Sequence, residues 1–333
     1  MEKIHSIDCM RAIAAFLVVC IHIPFYGAAG NIAIAYGKTA VPFFLIVCGY
    51  FCYRTESEEF TGRLKKQIRK IALLTILANI LFMIFDIVLQ FIFSSNPAGD
   101  ISQMFTLKKW FDFAVYNQSP FADHLWYLGS LLYALIIVLF LCRLRLHKYL
   151  MILSPVLLLC YIVALRSGGE MIVWRNCLMV SVPYFMFGCI IRKYEPRFLP
   201  RLNKFILPIL ICILLITNLI ELSVYKTSAP PFISAELLVI AAVLFLIKHP
   251  AIGKNSFLEK IGREYSLFIY IFHMSLVLLI YKWYESGHMP NSFPYYAPIA
   301  VYIASLAAAV IYKAAKNCIF GKAQNALNKQ LQQ

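Results

Sequence analysis

Arg11 and His22 stand with ten residues between them in "RAIAAFLVVCIH", a run otherwise almost wholly apolar. An α-helix turns ~100° and rises ~1.5 Å per residue, so eleven steps put both side chains on nearly the same face, about 16 Å apart. A guanidinium suits bidentate contact with a phosphate or carboxylate. A neutral imidazole, with an unperturbed pKa of about 6.5, suits a general base near neutral pH. Asp8 precedes Arg11 by three residues and can pair with it on one helix face. That pair reads either as an interfacial anchor or as the support of a guanidinium that holds an anion. Two more histidines lie in apolar surroundings: His124, close to Trp126 and Tyr127 in "ADHLWYLGSLL", and His273 in "YSLFIYIFHM". With Asp86 and Glu236, these are ionisable groups inside apolar segments, where they are costly and face a cavity or a partner. A lone histidine there also reads as a hydrogen-bonded structural residue. Three on separate segments are consistent with one polar cavity.

The elements that must carry these residues are membrane helices. The 333-residue chain is 61% hydrophobic and only 14% charged, with a mean hydropathy of +0.74; a soluble domain is nearer half apolar and a quarter charged. Apolar runs long enough to span, about 20 residues, are expected at about 7–26, 38–53, 71–94, 124–142, 149–165, 176–191, 204–222, 232–248, 264–281 and 295–313. Between the fifth and sixth, "RSGGEMIVWRN" is a candidate for dipping into the membrane. No cleavable signal peptide is evident.

Charge sets the orientation. Lys and Arg total 31 against 16 Asp and Glu, a balance that in a soluble chain would suggest nucleic acid. Here 24 of the 31 fall on one side when the loops alternate, with six in "YRTESEEFTGRLKKQIRK" and five in "RKYEPRFLPRLNK". The other seven are Lys38, Lys108, Lys109, Arg166, Arg175, Lys226 and Lys282. By the positive-inside rule this predicts an all-α integral membrane bundle of ten helices with both termini cytoplasmic. The basic excess is then a topology signal and a contact for anionic lipids, with no need of nucleic acid. The chain reads as one transmembrane domain over 1–333, with a short cytoplasmic tail from about 314.

Nine of the ten cysteines fall in or at the ends of the expected spans and Cys318 lies in the tail, so no extracellular disulfide framework is expected. Cys48 and Cys52, four apart, lack a second ligand pair nearby in sequence, so they read as small buried hydrophobes and no metal is expected. There is no Gly-rich phosphate loop, G-x-S-x-G elbow or H-E-x-x-H. Any chemistry is assembled from several helices. From the residues alone the chain is a multi-span protein with a histidine-bearing interior, an enzyme or a transporter.

These same residues resemble a known group. "IDCMRAIAAFLVVCIH" is similar to the Asp-x-x-Arg opening, with ten residues between Arg and His, of the acyltransferase-3 family of bacterial integral membrane O-acyltransferases. "VPFFLIVCGY", "HLWYL" and "YSLFIYIFH" follow in the order of that family, over about residues 5–320. Cys48 stands where the family usually has Ser. "WRNCLMVSVPYFMFGCIIRK" resembles a segment of the branch found as the membrane half of vancomycin-resistance serine racemases, with Cys177 in place of a Gly. The resemblance implies transfer of an acyl group, typically acetyl, from cytoplasmic acetyl-CoA to a hydroxyl of an extracytoplasmic glycan or lipid-linked sugar in the bacterial cytoplasmic membrane. Acetyl-CoA would be a co-substrate, with no permanently bound cofactor. Arg11, with Asp8, would hold the donor's phosphate-bearing end, and His22 would activate the acceptor. His124, Trp126, Tyr127, Arg175, Asn176, Tyr270 and His273 are candidate acceptor or oxyanion contacts. Trp126 also reads as an interfacial anchor and Tyr270 as a brace. Because that branch is linked to serine uptake, the alternative is a transporter of serine or another small solute.

Overall fold

Leucine, isoleucine and phenylalanine face outward along the long helices. On one helix Leu73, Ile76, Leu77, Ile80, Ile84, Val88 and Phe91 are exposed at spacings of three and four. Ile206, Ile209, Ile213, Ile216 and Ile220 repeat the pattern on another. In water such stripes would be a liability; in lipid they are the solvated surface. This is an integral membrane protein.

The computed structural model describes residues 3–226, 231–285, 290 and 292–330. Part of the expected outer segment "ESGHMPNSFPYY" lies outside the described residues. In chain order the helices are α1 (His5–His22), α2 (Ala28–Gly37), α3 (Ala40–Cys52), α4 (Ser57–Phe93), α5 (Pro97–Met104), α6 (Leu107–Tyr116), α7 (Trp126–Arg143) and α8 (His147–Arg166). They continue with α9 (Met171–Trp174), α10 (Val182–Phe198), α11 (Ile206–Tyr225), α12 (Ile233–Lys248), α13 (Phe257–Glu264), α14 (Ser266–Glu285) and α15 (Ala297–Gln330). Among the described residues there is no strand.

Nine helical segments among the described residues are long and apolar enough to cross a membrane, with α2 and α3 together forming one of them. They coincide with nine of the ten expected spans. The remaining expected span, 232–248, is α12, a helix of 16 residues, which rises only ~24 Å. Three features exceed the sequence reading. Helix α1 stops at His22, so 28–37 forms its own helix rather than the end of a loop. Helix α4 begins at Ser57, fourteen residues before the expected span, because "SEEFTGRLKKQIRK" continues the same helix as a polar extension. Glu58 and Glu59 in its first turn favour the positive end of the helix dipole. Finally, α5 and α6 fold the segment before His124 into two short helices.

Close backbone approach fixes the bundle around the future site. A Cβ added to Gly49 of α3 would collide with the Phe185 backbone of α10, and one on Gly188 of α10 with the Ile46 carbonyl of α3. Small residues of this kind let membrane helices approach where no hydrophobic force drives them together. At the start of α1, Gly262 of α13 likewise packs on the Asp8 carbonyl. Glu259 of α13 ties this end together. It takes an ion pair from Lys3, one from His5 at 2.9 Å and one from Arg263 at 2.7 Å, and it accepts the Asn255 N–H at 2.6 Å. Ser256 caps α13 by accepting the Glu259 N–H at 3.1 Å.

Candidate active site

Helix α1 carries Arg11 near its start and His22 as its last residue, so the two sit at different depths of the bundle. Arg11 pairs with Asp8 at 2.7 Å, as the spacing predicts. The pair does not close the guanidinium off, because Arg11 also lines two adjoining cavities at the basic end. One, of about 240 Å³, is bounded by Arg11, Lys70, Gly262, Arg263 and Ser266. The other, of about 370 Å³, adds Cys48, Arg63, Lys66 and Gln67. Arg63, Lys66 and Lys70 are three and four apart on α4, so one helix face presents all three cations. That spacing is readable in "GRLKKQIRK", although nothing in the sequence joins it to Arg11.

His22 lies on the wall of a different cavity, of about 290 Å³, with Lys38, His124, Trp126, Tyr127, Tyr161, Arg175, Tyr184, Glu236 and Tyr270. The three histidines converge. The His22 ring centroid lies 5.2 Å from that of His273 and 6.2 Å from that of His124, which are themselves 5.4 Å apart. His124 and His273 are buried, at 2% and 0% exposure. His273 Nδ1 donates to the Ile269 carbonyl at 3.0 Å and His124 Nε2 to the Ile271 carbonyl at 3.3 Å. Their other nitrogens, His273 Nε2 and His124 Nδ1, have no hydrogen-bond partner among the described residues. Each is a lone pair on a ring that neighbours His22. Buried polar atoms are normally satisfied, so two unpartnered ring nitrogens in one cluster make it a candidate site.

Other expected contacts separate into two groups. Trp126, Tyr127, Arg175 and Tyr270 line the His22 cavity. Arg175 stacks over Trp126, 4.7 Å from the ring centroid, and no carboxylate pairs with it among the described residues. Tyr270 donates its hydroxyl to the His124 carbonyl at 2.6 Å, bracing the turn that holds His124. His273 supports His22 from behind and does not line the cavity. Asn176 is occupied locally: its Oδ1 accepts from Leu178 and Met179 N–H at 2.9 and 3.1 Å, and its Nδ2 donates to the Val173 carbonyl. It caps the π-helical turn Cys177–Ser181 and thereby sets the loop that carries Arg175. Lys38, Tyr161, Tyr184 and Glu236 join this wall from α2–α3, α8, α10 and α12. Only Glu236 stood out beforehand, as a charge within an apolar run. It accepts a hydrogen bond from the buried Tyr184 hydroxyl.

The cavities at the two ends adjoin. Val18, Val41, Tyr127 and Tyr270 line both the His22 cavity and the smaller Arg11 cavity. The Tyr127 and Tyr270 rings meet edge to face at 5.4 Å in this shared lining, here called the neck. A family model described as an acyltransferase domain matches residues 4–313. The chain belongs to the acyltransferase-3 family. No curated protein and no solved structure matches it.

Family membership supports acyltransferase activity and gives the two departures from the family pattern a location. Cys48 faces the basic cavity, where Gln67 Nε2 approaches its Sγ at 3.8 Å. A thiol there is a weaker hydrogen-bonding group than the usual hydroxyl. Cys177 opens the π-helical turn and donates its backbone N–H to Asn117 Oδ1 at 3.1 Å. The backbone hydrogen bond needs no Gly, and the substitution leaves the loop anchored.

Proposed function

We propose that the protein is a transmembrane O-acyltransferase that moves an acetyl group from cytoplasmic acetyl-CoA to a hydroxyl of an extracytoplasmic glycan or lipid-linked sugar. In this reading it sits in a bacterial cytoplasmic membrane, with α12 completing ten passages and both termini cytoplasmic. The observation that carries the reading is the adjoining pair of cavities, one cationic around Arg11 and one bearing His22, which share the lining of the Tyr127–Tyr270 neck.

The donor's phosphates remain in the cavity of Arg11, Arg63, Lys66, Lys70 and Arg263, whose charge raises local donor concentration. Its uncharged thioester arm reaches past the neck. A ring nitrogen of His22 accepts the proton of the acceptor hydroxyl as the oxygen bonds to the thioester carbonyl carbon. Collapse of the tetrahedral intermediate breaks the C–S bond, and the His22 imidazolium returns the proton to the departing thiolate. Trp126 Nε1–H and the Tyr127 hydroxyl are the donors we assign to the developing oxyanion. The unpartnered Nε2 of His273, on a ring whose centroid lies 5.2 Å from that of His22, is the acceptor we assign to the second N–H of His22 in the reacting complex, where it would hold the tautomer as a carboxylate does in a catalytic triad.

The test is sidedness. Protein reconstituted in sealed liposomes, oriented by protease mapping, receives labelled acetyl-CoA only on the side of the basic loops. Label is expected on a glycan acceptor confined to the opposite side, and none with His22→Ala. Transfer only when both substrates share one side overturns the through-membrane reaction. Serine movement without acyl donor would replace the proposal with the transporter.

A further inference from the structure

Cavity charge points to the kind of acceptor. Three formally charged side chains line the His22 cavity: Lys38, Glu236 and Arg175. Lys38 and Glu236 are close enough to interact and are opposite in sign. Glu236 is further held by the Tyr184 hydroxyl. Arg175 differs. Its guanidinium lies on the Trp126 face at 4.7 Å, forms no salt bridge among the described residues, and borders the same space as the base. It feels the charge of Asp123, an exposed carboxylate bonded to Gln118 Nε2 at 2.8 Å, but not within ion-pair distance, and a guanidinium drawn partly out of water with no anion in contact is costly. Stacking on an indole offsets only part of that, and leaves the edge donors of the fork pointing elsewhere. The loop that carries it is built for placement, since Asn176 spends all its hydrogen bonds on that turn. At about 290 Å³ the cavity is small for a ligand pocket and suits one ring-sized group.

We propose that the acceptor is a hydroxyl compound that itself carries an oxyanion, carboxylate or phosphate, and that Arg175 is its receptor. This rests on the acyl-transfer reading and narrows its acceptor to an acidic sugar or an equivalent. The oxyanion fixes the ring against Trp126 so that a neighbouring hydroxyl meets His22. It also neutralises Arg175 before His22 takes up a proton, so two cations are never left facing each other in a low-dielectric space.

Binding is measured on the full chain in detergent, without acyl donor, using D-glucose, D-glucuronate and D-glucose 6-phosphate in calorimetry. At least one acid should bind about tenfold or more tightly than glucose, and the stronger of the two identifies the preferred oxyanion. Arg175→Gln should erase the preference; His22→Ala should keep it. In parallel, phenylglyoxal labelling of Arg175 in the wild-type chain, read by peptide mass spectrometry, should be slowed by the preferred acid and not by glucose. This arm stands even where Arg175→Gln fails to fold. Acids that bind no tighter than glucose, a preference that survives in Arg175→Gln, or labelling that glucose slows equally would each overturn the proposal. Arg175-dependent acid binding in a chain that never transfers an acyl group in liposomes would sink the acyl-transfer reading and leave the oxyanion site standing.

Discussion

His22 closes α1 with its backbone carbonyl accepting the Tyr281 hydroxyl at 3.3 Å, so the helix end that carries it is held by α14. Replacing it by Gln keeps a polar side chain of similar reach and removes the base. Acetyl transfer by purified His22→Gln should fall by about 10²-fold or more, with an unchanged melting temperature; near-normal turnover would remove His22 from the chemistry. Arg11→Lys keeps the charge and loses the fork. Calorimetry with a non-hydrolysable acetyl-CoA analogue should show weaker binding, whereas unchanged affinity with a lowered melting temperature would leave Arg11 only its Asp8 pair. Much of this residue set was legible. An arginine and a histidine eleven steps apart on an apolar helix are conspicuous because lipid tolerates neither without a reason. The meeting of His22, His124 and His273 was not legible, because three segments distant in sequence must first pack. Lys38 and Tyr184 were invisible for a simpler reason: single polar or aromatic residues at helix ends are common.

Helix α13 shows how a short element steadies the basic end. The Lys3 ammonium beside Glu259, joined by His5 and the Asn255 N–H, holds its carboxyl down to about 2. Glu264, beside Lys313 and then Arg263, is also held at about 2. Both folded values lie below the unfolded carboxylate value of about 4.3. The stabilisation is therefore fully present above about pH 5 and lost as pH falls from there towards 2. Melting temperature in detergent should be flat from pH 7 to 5 and then drop, and the combined Glu259→Gln, Glu264→Gln variant should start lower and show a shallower acid slope. An equal slope in both proteins would remove α13 from the acid response. Between α3 and α10 the determinant is contact rather than charge. Gly188→Ala forces a methyl against the Ile46 carbonyl and should cost about 1–3 kcal/mol, read as reduced stability in denaturant titration. The helices themselves were legible from runs of apolar residues, since a membrane leaves few other solutions. Their ends were not. The extension of α4 to Ser57 and the separate α2 are set by packing and local geometry, which hydropathy does not encode.

Across the whole molecule, hydropathy and cation segregation supplied the class of fold, while the internal space emerged only from the assembled bundle. No sequence pattern announces that α1, α3, α7 and α14 each contribute one residue to a shared neck. Tyr127→Ala should widen that neck and raise hydrolysis of acetyl-CoA relative to transfer, measured as thiol released without acceptor acylation; an unchanged ratio would mean that the rings do not separate the two spaces. The neck has an electrical consequence. In the proposed topology each cavity, once filled with water, carries its bulk potential inward, so that most of the membrane voltage would fall across the thickness of two aromatic rings. Moving one charge through that layer costs about 2.3 kcal/mol per 100 mV. A thioester arm is neutral, and in the proposed reaction the donor's phosphates stop short at Arg11 and Lys70. In the proposed reaction an acetyl group would therefore cross the full field without displacing charge, and a potassium diffusion potential imposed on the liposomes should leave the transfer rate unchanged in either polarity.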